Sequence, residues 1–136
     1  MLNVSKILGV ASVMALFVSM EAMALPGGYM EIPTGQTDFR IYSNKAGGSV
    51  IIVKAPAKSD TLDEASVNDL KNQVHCDSYD VSSDRKSLLG SGCVDPTTKE
   101  RASIDVRLVN GKVNVVIYNE KANVSDVHAI IAESGK

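Results

Sequence analysis

Two cysteines, Cys76 and Cys93, are the residues with the greatest chemical potential in this chain, and His75 directly precedes the first. A neighbouring Cys and His suggest a nucleophile pair or half of a soft-metal site. Adjacent residues on a strand point to opposite faces, however, so His75 and Cys76 are expected to diverge. A metal site needs further ligands, and His128 is the one other histidine. His128 is expected at the edge of a helix's apolar stripe as a partly buried, hydrogen-bonded side chain. No cofactor or metal is therefore expected.

A disulfide fits the pair better. Residues 75–82 and 86–94 read as strands joined by a tight turn. If that turn centres on Asp84-Arg85, the register sets Cys76 opposite Cys93. Gly90 or Gly92 shifts this by one residue if either makes a bulge. A closed loop of this length contributes about 3 kcal/mol in the chain-entropy model.

Other candidates are weaker. Asp77, Asp80 and Asp84 alternate with Ser and Tyr, yet lack the D-x-[DN]-x-[DN]-G-x5-E pattern of a calcium loop. Ser59, Asp60, Asp63 and Glu64 gather acidic groups where a helix starts, and the helix dipole accounts for acids there. The Gly pairs at 27–28 and 47–48 lack the Lys-Ser/Thr of a phosphate loop, and no G-x-S-x-G or H-E-x-x-H occurs. Asn123-Val124-Ser125 matches a glycosylation sequon, which matters in a eukaryotic secretory pathway alone. If the chain is an enzyme, His75, Asp77 and Tyr79 are the residues to test, because a regular strand puts all three on one face.

The compartment follows from residues 1–24. Lys6 precedes an uncharged run over 7–20, and Ala22-Met23-Ala24 supplies a small-residue cleavage site. That run is short of the ~20 apolar residues needed to span a bilayer. A secretory signal peptide of bacterial type is expected, leaving 25–136 as a periplasmic or secreted chain with no transmembrane anchor. Oxidising surroundings favour the disulfide. Beyond residue 24 Met30 is the sole methionine, so a Met-rich adaptable surface is excluded. Lys and Arg number 14 against 16 Asp and Glu, for a net charge of −2. No basic groove for nucleic acid is expected.

The elements that must position these residues read as sheet and helix. Residues 25–37 are Pro- and Gly-rich, an irregular arm docked through Tyr29 and Ile32; the rest, 38–136, is expected to form one α+β domain. Strands are expected over 39–43 and 50–53, then a helix to about residue 74 with a capping box from Thr61 to Glu64. Asn110-Gly111 favours a type I′ turn, which sets Ile104 against Ile117, Val106 against Val115 and Leu108 against Val113 on one apolar face. Asn123 or Ser125 caps a final helix with Val124, Val127, Ile130 and Ile131 as its stripe, and Gly135 ends it. The order β-β-α-β-β-β-β-α implies an antiparallel sheet of about five to six strands with two helices packed on one face.

Three functions from different classes are compatible with this reading. The first is a non-enzymatic module that binds a protein partner in the cell envelope: an inhibitor or immunity protein, or an accessory factor of a secretion or pilus machine. Tyr42 and Tyr118, on the faces opposite the apolar residues of their strands, are then the expected anchors. The second is a carrier of a small apolar ligand between sheet and helices, which requires a cavity near Ile104, Val106, Val115, Ile117 and Ile131. The third is the enzyme already described.

Overall fold

Asn110 and Gly111 adopt φ of 52° and 77°, the left-handed pair that a type I′ turn requires. They join β6 (Arg101–Val109) to β7 (Lys112–Asn119), and the expected register holds throughout, with Ile104 opposite Ile117, Val106 opposite Val115 and Leu108 opposite Val113. A computed structural model describes residues 25–94 and 99–134; the signal-peptide reading of 1–24 and the Gly135 helix stop lie outside them. The other strands are β1 (Met30–Ile32), β2 (Phe39–Ser43), β3 (Ser49–Pro56), β4 (Ser78–Val81) and β5 (Ser87–Val94). The two helices are α1 (Glu64–Gln73) and α2 (Val124–Ser134).

All seven strands form one antiparallel sheet in the order β1-β2-β3-β7-β6-β5-β4. The α+β class and the element order are as expected, with one short strand, β1, added in front. The arm over 25–37 is thus partly regular. It makes a 3-10 turn at Pro26–Gly28 and then β1, and it docks through Tyr29 and Ile32 as expected. β1 takes the sheet to seven strands, above the five to six expected.

The turn between β4 and β5 sets Tyr79 opposite Gly90, and an isolated bridge pairs His75 with Val94. Cys76 and Cys93 therefore face each other and are disulfide-bonded. The bulge falls on the other side of β5, where its register against β6 shifts between Gly90 and Cys93.

The helices lie on opposite faces of the sheet, which corrects the expectation of one shared face. Ile41, Ile51, Val53, Val106, Val115 and Ile117 pack with Leu62, Val67, Leu70 and Val74 of the α1 segment. Tyr42, Val50, Ile52 and Val116, their strand neighbours, pack with Val127 and Ile130 of α2 and with Tyr29. The physical reason is the pattern of the central strands. Val50-Ile51-Ile52-Val53 and Val115-Val116-Ile117 are apolar without alternation, so both faces there must be covered. The α2 face is dry over β2, β3 and β7, and wet over β5 and β6, where Leu89 and Arg107 are exposed.

Two tyrosines are sealed in this second core, Tyr29 at 0% and Tyr42 at 2% exposure. Burial pushes both hydroxyls above their ordinary value of 10, with a smaller push from Asp126 on Tyr29 and from Glu31 on Tyr42. The sign follows directly. The fold keeps them neutral while the unfolded chain ionises, so their stabilisation is complete below about pH 10 and is lost as pH rises through the folded values. Unfolding free energy measured from about pH 8 to 11 should fall at the alkaline end, and Tyr29→Phe with Tyr42→Phe should flatten that fall.

Candidate functional site

α1 packs down on the sheet through Val67 and Leu70, and a half-open groove runs along its edge. This cavity of about 510 Å³ is open on one side and is lined by the sheet residues Ala55, Pro56, Leu88, Val106, Leu108, Val113 and Val115 and by Leu62, Val67 and Leu70; Leu88, Val106 and Val115, each 1% exposed, form its floor. Its polar lining is confined to one stretch of chain, contributed by Lys58, Ser59, Thr61, Asp63 and Ser66. One wall is therefore polar and the rest is aliphatic.

The local sequence explains why α1 stands where it does. Leu62 is fixed by a backbone bond to the Arg85 carbonyl at 2.7 Å, and Arg85 Nε returns a bond to the Leu62 carbonyl at 2.9 Å. The chain is thus held non-helical at residue 62, and α1 starts two residues later than a Thr61 cap allows. Asp63 is the N-cap, accepting from Ser66 N at 2.8 Å. That backbone bond, helped by the Ser66 hydroxyl and by Arg85, holds the Asp63 carboxyl below its ordinary range.

The far end of α1 is tied down too. Tyr79 donates its hydroxyl proton to the Val74 carbonyl and accepts from Cys76 N at 3.0 Å. Lys71 Nζ sits 5.2 Å from the Tyr79 ring centre, and the disulfide follows at residue 76. Of the five residues expected to line such a cavity, Val106 and Val115 do so. Ile104 and Ile117 are buried in the same core outside the cavity lining, and Ile131 belongs to the α2 core.

The other candidate residues do not converge. His75 and Asp77 are exposed, whereas Tyr79 packs against the α1 core, so the three do not share an open face. Asp77 lies 3.5 Å from Arg101 in an exposed pair. Asp84 closes its own turn, accepting from Ser82 Oγ at 2.6 Å and Lys86 N at 3.1 Å. His128 is exposed on α2, not partly buried. Among the described residues no group of three or more His, Cys, Asp or Glu is placed to hold a metal ion.

The tyrosine pair expected on a wet face needs correction. Tyr42 is inside the second core, and Tyr118 is half-buried against it. Their face is the one that α2 covers, which single-strand alternation does not reveal.

Asn119 is a positioning residue that sequence reasoning missed. Buried at the end of β7, it accepts from Ser49 N at 3.0 Å and donates to the Gly47 carbonyl at 2.8 Å, which pins the β2–β3 loop. Its signal was a polar residue ending an apolar strand. Comparison with known protein families, with curated proteins and with solved structures finds no match to this chain.

Proposed function

We propose that this is an exported binding protein and that the half-open cavity beside α1 binds a small apolar ligand. The observation that carries this reading is a space of about 510 Å³ with mostly aliphatic walls, inside the 300–1,000 Å³ range of small-molecule pockets. Polar groups confined to one wall are what such sites use to orient a ligand. The disulfide supports an oxidising compartment, periplasmic or extracellular. No helix among the described residues is long and apolar enough to cross a membrane. The activity proposed is binding, not catalysis.

A protein-binding module of the envelope shares the compartment and the disulfide. Its anchors were to be Tyr42 and Tyr118, and Tyr42 offers no surface to a partner. The cavity reading therefore takes precedence.

Leu108 and Val113 face each other at the hairpin end of the cavity, both half-buried. Val113→Trp should close it while sparing the fold. A neutral apolar probe, N-phenyl-1-naphthylamine, is expected to brighten on binding the oxidised protein and to bind at least about tenfold more weakly to the variant, a loss of ~1.4 kcal/mol. Unchanged binding, with unfolding curves that superimpose, would refute the assignment.

A further inference from the structure

Resting on that reading, the lining pattern points to a narrower ligand class: we infer that the cavity takes a single-chain amphiphile with an anionic head, its tail on the sheet and its head at Lys58. The polar lining residues all fall within positions 58–66, and the remaining lining residues are apolar. A ligand apolar throughout leaves that wall facing hydrocarbon, whereas an amphiphile satisfies both sides.

The wall's own bonds decide the head group. The Ser59 hydroxyl is committed to the Thr61 carbonyl at 2.5 Å. Asp63 is engaged by Ser66 N at 2.8 Å, and Arg85 acts on its charge. Lys58 is the one cation in the lining; Asp60 and Glu64 belong to the same stretch of chain and are not part of it. An ammonium at the edge of an aliphatic slot attracts a carboxylate or phosphate monoester and repels an amine. In size, 510 Å³ accommodates about seventeen non-hydrogen atoms at ~30 Å³ each, a medium-length chain with its head.

The test uses the oxidised protein of residues 25–136 and three twelve-carbon probes below their micelle concentrations: dodecanoate, 1-dodecanol and dodecylamine. Dodecanoate should bind best. Its advantage over the alcohol should be about fivefold, the size of an exposed ion pair, and should shrink as salt rises. Lys58→Ala should remove that advantage, and Lys58→Glu should favour dodecylamine. Equal binding of dodecanoate and dodecanol, or an advantage that survives Lys58→Ala, overturns the head-group assignment while the cavity reading stands. If none of the three binds and N-phenyl-1-naphthylamine also fails, the cavity reading falls and this inference with it.

Discussion

Breaking the Cys76–Cys93 bond is expected to cost about 3 kcal/mol and to lower Tm by roughly 10–15 °C. The bond joins residues 17 apart in sequence, so the unfolded chain regains the freedom of a loop that spans the whole β4–β5 hairpin. The folded side is vulnerable as well. β4 is the outermost strand, pairs with β5 alone, and has just four residues. The sulfurs also pack over Gly90, where a methyl group would come within 2.7 Å of Ile104 Cγ2 and 3.0 Å of Cys76 Sγ. No larger residue can take over the space if the bridge is lost. Thermal unfolding followed by circular dichroism on oxidised protein, on protein with reductant and on Cys76→Ser/Cys93→Ser measures this. Melting points within about 2 °C of one another would show that the edge holds without its bridge.

What was legible in the sequence was set by short-range geometry. Asn110-Gly111 fixes its turn type, and the turn fixes every pair up to Ala102 and Asn119. The Asp84-Arg85 turn likewise dictates which residue Cys76 meets, with Arg85 at φ 56°. What was not legible depends on which elements meet across long stretches of chain. The face taken by α2 is decided by the apolar runs at 50–53 and 115–117, read together and not strand by strand. The helix start illustrates the same point at close range: Thr61 and Asp63 are both acceptable caps, and the choice falls to Asp63 because Arg85, 23 residues away, grips Leu62. The cavity needs α1, β3, β5, β6 and β7 in place at once, so no single pattern along the chain announces it. Val106 and Val115 were foreseen because the hairpin places them on the α1 side; the wall over 58–66 was not.

Tyr42→Ser is expected to be the most damaging of these substitutions, at about 3–5 kcal/mol by analogy with aromatic truncations in cores. The side chain is 2% exposed and packs in the α2 core with Val50, Ile52, Val116, Val127 and Ile130. Its ring also lies 5.7 Å from the Arg40 guanidinium, which grips Glu31 through two bonds of 2.8 and 2.9 Å and the Ser134 carbonyl of α2 at 3.1 Å. Truncation to Ser opens a void, buries a hydroxyl and withdraws the surface on which this β1–β2–α2 tie rests. Tyr42→Phe keeps the ring and should cost far less, and Tyr118→Ser, at a half-buried position, should fall between them. Denaturant unfolding ranks the three, and a Tyr42→Ser midpoint equal to that of Tyr42→Phe would mean that α2 does not depend on this ring. The order matters for function. Loss of a partner in a Tyr42→Ser protein would report a broken second core, whereas the cavity lies on the other side of the sheet and is probed cleanly only by variants such as Val113→Trp and Lys58→Ala that leave that core intact.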